Sequence, residues 1–201
     1  LSVEQVLRKQ KRRNPAAPFI TSTLQQEAAR KLGFTAKRTM QIAQQLYEGI
    51  DLGGEQVGLI TYMRTDSVAL AQDAVQEIRT FIGDRYGADQ IPAQPRVYKT
   101  RAKNAQEAHE AIRPTSVERD PDTLRRALSP DQAKLYDLIW KRTVASQMVH
   151  ATYDTVAITL KAGDAGQFRA TGQTLVHPGF IAVYQEGRDE QSDEDENREL
   201  P

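Results

Sequence analysis

The sequence predicts an α+β fold in which a mainly helical region precedes a set of antiparallel β-strands. Apolar residues recur at helical spacing in segments between residues 23 and 149, with capping residues and glycines at the segment ends. From Ala151 the apolar pattern changes to a period of two, which is typical of half-buried strands. Because a helical stretch is followed by a stretch of strands, the pattern predicts an α+β fold.

Two consecutive helices are predicted near the start of the helical region. Thr23 is a candidate N-cap with Gln26 three residues later, and Gly33 ends this helix. Thr35 caps the second helix, which Gly49 ends. This helix places four apolar residues on one face: Met40, Ala43, Leu46 and Tyr47. Two helices joined by a short turn form a pattern similar to a helix-turn-helix.

The central part of the chain alternates between loops and helices. A glycine-rich loop at 50–58 leads into LITYM at 59–63, which is predicted as a short strand or extended segment. Ser67 is placed as the cap of a helix from Val68 to about residue 82. Its end is followed by an irregular stretch, 83–103, whose prolines and glycines predict a long loop.

Three further helices complete the helical region. NAQEAHEAI at 104–112 has a capping box and is stopped by Pro114. A short helix is predicted near 121–128, and a longer one begins with Ser129 as its cap and Pro130 at its first position.

The C-terminal part predicts an incomplete sheet. TYDTVAITLKA at 152–162 and QFRATGQ at 167–173 alternate, and GDAG between them predicts a turn, so the pair forms an antiparallel hairpin. GFIAVYQ at 179–185 is assigned as a third strand. Since such a small sheet with open edges is a poor independent fold, we expect further sequence to complete it. The acidic stretch at 186–199 is predicted as a solvated loop and not as a metal site.

Composition excludes several classes of protein. No apolar run approaches the roughly 18 residues that a membrane-spanning helix needs. Cysteine is absent, which excludes disulfides, cysteine zinc sites and thiol chemistry. The chain opens without Met and without a signal-peptide pattern, so we expect it to begin part-way through a longer polypeptide.

The net charge of zero is an average over segments of opposite sign. Residues 8–13 and 97–103 are basic, and tracts of this kind can contact phosphates, although a solvated face explains each one equally well. NPAAP at 14–18 marks a connector, which predicts a boundary near residue 20.

Tyr62 is the strongest candidate for chemistry. It is flanked by a dense group of polar residues: Thr61, Arg64, Thr65, Asp66 and Ser67. Exposed N–H groups at a helix start favour a bound anion. A phenol has a pKa of about 10, so it needs its proton removed or its anion stabilised to act as a nucleophile. Arg64 can supply positive charge for this. An ordinary strand-to-helix junction remains the alternative.

Four ordered blocks carry a resemblance to a known family. GLITYMRTDS at 58–67 resembles the active-site signature of bacterial DNA topoisomerase I, a type IA enzyme. The blocks at 18–34, 43–49 and 104–115 resemble the same family in the same order, so the similarity covers most of 18–185.

The resemblance implies roles for individual residues. Tyr62 resembles the nucleophile that forms a 5′-phosphotyrosine link, Arg64 the arginine that positions the scissile phosphate, and His109 the histidine that approaches it. Without the family, His109 is a surface or capping histidine. Other positions match the polar lining of the site or contacts to single-stranded DNA: Thr61, Thr65, Asp66, Gln44, Glu48, Lys103 and Arg113.

The resemblance also implies cofactors and partners. The family's Mg²⁺ is bound by a separate Toprim domain that has no counterpart here, so this chain is expected to supply no ligand and to be inactive alone. The expected partners are single-stranded DNA and the N-terminal Toprim and remaining domains of the same polypeptide. The intact enzyme is expected to be a cytoplasmic, nucleoid-associated monomer with no membrane contact. No nucleotide-binding GxxxxGK[ST] loop is present, and a phosphotyrosine ester needs no ATP to reseal.

The implied organisation has three parts. Residues 1–20 form a basic connector or part of a β hinge domain, 21–150 the helical domain with the catalytic tyrosine, and 151–201 hinge strands with an acidic tail. Topoisomerase III usually has Pro where Met63 stands and a different histidine motif, and reverse gyrase shares the core. A non-catalytic helix-turn-helix DNA-binding module explains the paired helices but does not require Tyr62. A purely structural role explains none of the four blocks.

Overall fold

A computed structural model describes residues 1–99 and 109–187 and confirms the α+β fold. The described residues form five α-helices: α1 Thr21–Leu32, α2 Ala36–Glu48, α3 Gln72–Tyr86, α4 Pro121–Leu124 and α5 Pro130–Ser146. They form five β-strands: β1 Ser2–Arg13, β2 Ile50–Asp51, β3 Gln56–Val57, β4 Ala151–Lys161 and β5 Gln167–His177. Short 3₁₀ helices lie at Ala88–Gln90 and Gly179–Ala182. Within these ranges, no helix is long and apolar enough to cross a membrane.

The helices surround a single core whose central side chains are fully buried. Helices α1, α2 and α5 contact one another. The core includes residues that come from loops as well as from helices: Phe19, Leu24, Leu46, Leu59, Ile112 and Ile139. Burial of loop residues between the helices fixes the path of the loops, and this matters for the candidate site.

Capping chemistry predicted most helix ends correctly. The Thr35 side chain accepts a hydrogen bond from Arg38 N, and Gly33 ends α1 with a φ of 66°. Ser129 and Gln132 form the capping box of α5. The predicted N-cap of α1 was wrong by three residues, because the N-cap is Ile20 and Thr23 lies inside the first turn, where its hydroxyl accepts a bond from Ile20 N.

The three-stranded sheet has the order β1-β4-β5 and is antiparallel throughout. The predicted hairpin of β4 and β5 is confirmed. The predicted third strand at 179–185 was wrong, because Gly179–Ala182 is a 3₁₀ helix. Gly179 has a φ of 48°, and a Cβ there would lie 2.3 Å from the His150 carbonyl oxygen. The third strand is instead β1.

Long-range pairing overrode several local patterns. LITYM forms no regular strand and makes only an isolated antiparallel bridge between Ile60 and Pro114. Helix α3 begins at Gln72 instead of Val68, because the Ser67 hydroxyl accepts a bond from Ala69 N in a local turn.

The predicted helix at 104–112 falls partly outside the described residues. Its described part, 109–112, is not helical. Ile112 instead forms a bridge with Phe19, whose carbonyl accepts the Ile112 N–H. The glycine-rich loop at 50–58 contains the small β2–β3 hairpin, and the short helix predicted near 121–128 ends at Leu124. The acidic residues 188–199 lie outside the described residues.

Candidate active site

The segment at 58–67, which carries Tyr62, is held by backbone hydrogen bonds on both sides. Leu59 N donates to the Leu46 carbonyl at the end of α2, at 2.8 Å. The Leu59 carbonyl accepts from Thr115 N, and Thr61 N donates to the Arg113 carbonyl, both at 2.9 Å. The segment is therefore fixed between α2 and the extended chain at 111–115.

Side chains alternate between buried and exposed along this segment. Met63, Thr65 and Ser67 are buried, whereas Tyr62, Arg64 and Asp66 are exposed. Tyr62, Arg64 and Asp66 are therefore accessible to solvent, and a candidate nucleophile, a permanent cation and a carboxylate are exposed within five consecutive residues.

Thr21, at the start of α1, binds the other edge of the segment. Its hydroxyl donates to the Met63 carbonyl at 2.9 Å and accepts from Thr65 N at 2.9 Å. Its own N–H donates to the Thr65 carbonyl at 3.0 Å. Sequence reasoning missed Thr21, and its only signal was its place in the block at 18–34.

The hydroxyls of Thr61 and Thr65 are engaged within the protein. The Thr61 hydroxyl donates to the Ala111 carbonyl at 2.7 Å and accepts from Arg113 N at 3.0 Å. The Thr65 hydroxyl accepts from Ser67 N at 3.1 Å. In this structure both side chains shape the backbone around Tyr62.

Tyr47 contacts the Tyr62 ring directly. The two ring centroids lie 5.4 Å apart with an interplanar angle of 66°, which is an edge-to-face arrangement. Tyr47 was predicted on the apolar face of α2, but its side chain is 42% exposed, whereas Leu46 is buried. Gln44 Nε2 donates to Glu48 Oε1 at 2.7 Å on the same helix, so these two predicted residues lie within one turn of Tyr47.

Gln44 and Glu48 also line an open groove beside α2. Charged residues at its opposite end form an ion pair between Arg38 and Asp131. Lys37 adds a further cation to the lining. The groove is therefore polar and carries both signs of charge.

The chain around His109 runs alongside the Tyr62 segment. His109 is exposed and lies two residues before Ala111, whose N–H donates to the Ala69 carbonyl at 2.8 Å. The Arg113 side chain is largely covered, because Nε donates to Glu110 Oε2 at 2.5 Å and Nη1 donates to the Pro114 carbonyl. Lys103 lies outside the described residues.

Three other tyrosines illustrate the ordinary packing role of a phenol. Burial raises the pKa of Tyr98 to about 12, and its hydroxyl donates to the Pro15 and Ser146 carbonyls. Burial also raises the pKa of Tyr136 and of Tyr184, whose hydroxyls bind the protein. By contrast, Tyr62 is 47% exposed and its hydroxyl has no hydrogen-bond partner within residues 1–99 and 109–187. This hydroxyl is available to an external reactant.

Metal-ligating side chains do not cluster in the described part of the chain. Groups of three or more His, Cys, Asp or Glu side chains placed to hold a metal ion are absent from residues 1–99 and 109–187. The nearest acidic side chain along the sequence to Tyr62, Asp66, stands without two such neighbours. The described residues therefore do not fit a Mg²⁺ centre of their own.

Comparison with known proteins decides the family. A family model described as DNA topoisomerase matches residues 1–201. The chain belongs to the DNA topoisomerase family. This confirms the resemblance that the four blocks carried, and it does not favour the helix-turn-helix module as an alternative.

Relatives within the DNA topoisomerase family are similar over the whole chain. A protein named DNA topoisomerase 1 from Xylella fastidiosa (strain Temecula1) is 58% identical over all of this chain and 25% of its own length. A second from Rickettsia bellii is 54% identical over 99% of this chain. The structure of full-length topoisomerase I from Thermotoga maritima matches 99% of this chain and 31% of that protein, at 38% identity and a TM-score of 0.81. The chain thus spans about a quarter of the curated relatives that it matches.

Proposed function

We propose that this chain carries the nucleophile of a type IA topoisomerase, which cleaves and reseals one DNA strand and relaxes negative supercoils without ATP. The observation that carries the proposal is the exposed Tyr62 hydroxyl, which has no hydrogen-bond partner within the described residues and is followed two residues later by the exposed Arg64. Membership of the DNA topoisomerase family supports it.

The proposed reaction exchanges one ester for another. The Tyr62 oxygen attacks the phosphorus of a single-strand phosphodiester, a bond forms between them, and the bond from phosphorus to the 3′-oxygen breaks. The proton that Tyr62 loses is balanced by the one that the released 3′-hydroxyl gains. Resealing reverses these steps, and because the ester energy is retained in the link, no nucleotide is consumed.

Arg64 and His109 are proposed to act on the phosphate itself. A guanidinium stays charged at any physiological pH and offers a fork of donors that fits two phosphate oxygens at once. Arg64 is exposed two residues after Tyr62, so it is accessible to a phosphate that approaches the phenol. His109 is exposed at the start of the chain that lies beside Thr61, and is proposed to bind another oxygen of the same phosphate.

The remaining predicted residues are proposed to guide the strand. Gln44, Glu48 and Asp66 offer exposed polar groups around the site, while Lys103 and Arg113 are proposed contacts to the single-strand backbone. For Arg113, such a contact requires its bond to Glu110 to exchange for one to phosphate. We assign Thr61 and Thr65 to positioning the backbone, because both hydroxyls are already engaged.

The rest of the enzyme is proposed to supply what this chain lacks. Since the described residues do not fit a Mg²⁺ centre, we assign the metal to a Toprim domain of the same polypeptide, and no step on this chain is routed through it. The enzyme is proposed to act as a cytoplasmic, nucleoid-associated monomer.

We propose the same division of the chain into three parts that the sequence predicted. Residues 1–20 and 151–201 are assigned to a β hinge, and 21–150 to the tyrosine domain. Antiparallel pairing of β1 with β4 supports this division, because it joins the two hinge segments in one sheet.

A covalent-adduct experiment tests the nucleophile. The chain is mixed with the separately expressed N-terminal metal-binding domain, end-labelled single-stranded DNA and Mg²⁺, and denaturant-resistant protein–DNA adducts are resolved on a gel. We expect an adduct on this chain that disappears in Tyr62→Phe. Tyr47→Phe is the matched control, because it removes the neighbouring hydroxyl and keeps the ring that contacts Tyr62.

The outcomes separate the two tyrosines. An adduct that survives Tyr62→Phe and disappears in Tyr47→Phe would show that Tyr47, and not Tyr62, is the nucleophile. Domains that bind DNA together but form no adduct would remove the enzyme proposal as a whole.

A further inference from the structure

One face of the β1-β4-β5 sheet is strongly basic. Residues that pair directly across antiparallel strands project from the same face of a sheet. Lys9 pairs with Thr155 and Lys11 with Tyr153, so these four side chains lie on one face. Arg169 on β5 pairs with Thr159, two residues from Ala157 and four from Thr155 along β4, and therefore lies on the same face. We define the basic face by Lys9, Lys11, Arg13 and Arg169.

The basic face is open, and one carboxylate reaches it at its far end, where Glu4 accepts a hydrogen bond from Gln167, two residues from Arg169. Lys9, Lys11 and Arg169 are exposed, and no carboxylate of the described residues forms an ion pair with them. In the paired register from Gln5 to Arg13, no position of this face is acidic. The opposite face of the same strands differs, because Asp154 lies there beside Gln10 and between Arg8 and Arg12.

The spacing of the cations suits a regular polyanion. Alternate residues of a strand lie about 7 Å apart, so Lys9, Lys11 and Arg13 form a row along β1. Polar side chains that can donate hydrogen bonds to phosphate lie across the sheet from this row: Thr159, Thr171 and Gln173. Lys11 and Arg169 stand at opposite sides of a shallow groove over these strands. The arrangement fits successive phosphates of a nucleic-acid backbone.

The aromatic content of the basic face indicates which form of DNA it suits. Proteins that hold single strands usually stack bases on exposed aromatic rings. The one aromatic residue in the paired register of this face, Tyr153, is 8% exposed, and the Arg13 guanidinium lies 4.8 Å from its ring centroid. Bases therefore find no ring to stack on, and contact is limited to the backbone. A duplex, whose bases are already stacked internally, fits such a surface.

We infer that the basic face is a second DNA-binding surface, distinct from the Tyr62 site, that holds the backbone of a duplex segment. The inference rests on the proposed function in taking DNA as the substrate. It assigns to the sheet a task that Tyr62, Arg64 and His109 do not perform, which is to retain a segment that is not being cut.

Two matched double variants of this 201-residue chain test the inference. Lys9→Gln/Lys11→Gln removes two charges from the basic face, and Arg8→Gln/Arg12→Gln removes two charges from the opposite face of the same strand. Binding of a fluorescent duplex is measured over a series of salt concentrations. We expect the slope of log K against log salt to become less steep by about 1.8 for the first variant, at about 0.9 per lost phosphate contact. We expect the second variant to keep the wild-type slope.

Arg169→Gln extends the test across the sheet, and it is expected to reduce the slope by about a further 0.9. Equal losses in the two double variants would overturn the inference, because only overall charge would then matter. A loss confined to single-stranded oligonucleotides, or competition by an acidic peptide as effective as duplex, would also overturn it. Thermal unfolding of each variant checks that the exposed substitutions leave the fold intact.

Failure here is distinguishable from failure of the proposed function. Absence of the covalent adduct together with intact face-dependent duplex binding would remove only the nucleophile assignment. If the adduct forms normally and both double variants bind duplex with the wild-type salt dependence, only the inference about the basic face is overturned.

Discussion

The Tyr62 segment and the three-stranded sheet use opposite means to present functional side chains. The segment at 58–67 has no regular secondary structure and is held by bonds to α1, to α2 and to the chain at 111–115. The sheet is regular over eleven or more residues per strand, and its strands bond mainly to one another. The Tyr62 segment alternates exposed and buried side chains, whereas β1 and most of β5 are exposed on both faces. The sheet meets the core mainly through Ala151 and Tyr153 of β4.

This difference teaches where precision comes from in the molecule. Around Tyr62, alternate residues such as Met63 and Thr65 are buried, so a displacement of the exposed side chains requires a displacement of the core. On the sheet, the periodic ladder alone sets the positions. The first arrangement suits chemistry at one atom, whereas the second suits a row of equivalent contacts.

The largest expected contrast concerns two leucines. Leu59 is fully buried beneath the Tyr62 segment, and Leu59→Ala is expected to lower the free energy of unfolding by about 2–5 kcal/mol. Leu7, on β1, is 37% exposed, and Leu7→Ala is expected to cost about 1 kcal/mol or less. Urea unfolding of both variants measures the difference. Equal costs would show that the sheet is as embedded as the segment.

A smaller contrast concerns two threonine hydroxyls. Thr61→Val leaves the Ala111 carbonyl and Arg113 N without their hydroxyl partner, which is expected to cost about 1–3 kcal/mol and to reduce adduct formation. Thr171 is exposed on β5, and Thr171→Val is expected to change stability by less than about 0.5 kcal/mol. Unfolding and adduct yield are measured together. A Thr61→Val variant with lowered stability and full adduct yield would show that the hydrogen bonds of the Thr61 hydroxyl stabilise the fold but do not set the geometry at Tyr62.

The smallest effect lies at the junction between the two regions. Glu27 of α1 is buried and accepts bonds from the Tyr184 hydroxyl and from Gly187 N, in the chain that follows β5. Burial raises the pKa of Glu27, but these bonds, with that from Arg30, outweigh burial and hold the pKa below its ordinary value. Ionised Glu27 therefore stabilises the fold above the unfolded carboxyl pKa, and this contribution is lost as pH falls through the lowered folded pKa.

Urea unfolding at a series of acidic pH values checks this sign. The stability difference between the wild type and Glu27→Gln is expected to shrink as the pH falls. Glu55→Gln, in the exposed β2–β3 turn, is the control and is expected to follow the wild-type curve. A difference for Glu27→Gln that stays constant with pH would show that its ionisation is not coupled to folding.

Local chemistry predicted the elements that it controls. The caps at Thr35 and Ser129 predicted the starts of α2 and α5, and the stop at Gly33 predicted the end of α1. Period-two alternation predicted the hairpin. Local reasoning was wrong where distant chain competes: 109–112 extends along Phe19 instead of forming a helix, and 179–182 turns to meet the chain at Val149 and His150.

The sequence proposed candidate residues for the site but could not give their geometry. The ordered blocks indicated Tyr62 and Arg64 as candidates, because a motif is defined by which residue stands at each position. The clamp by Thr21 and the ring contact with Tyr47 depend on which distant segments meet, and no spacing in the sequence encodes them. Residues 1–20 were assigned to a basic connector or part of the β hinge, and the strand β1 itself was not predicted, because it is exposed on both faces and its sequence therefore shows no alternation.

The pairing of β1 with β4 has a consequence for biosynthesis. Residues 14–150 separate the two strands, so at about 5–20 residues per second β1 leaves the ribosome on the order of ten seconds before its partner. An unpaired strand is a template for aggregation, and lysines along it are a common protection. Lys9 and Lys11 are exposed on β1, and charged side chains of this kind disfavour pairing of the unpaired strand with other chains.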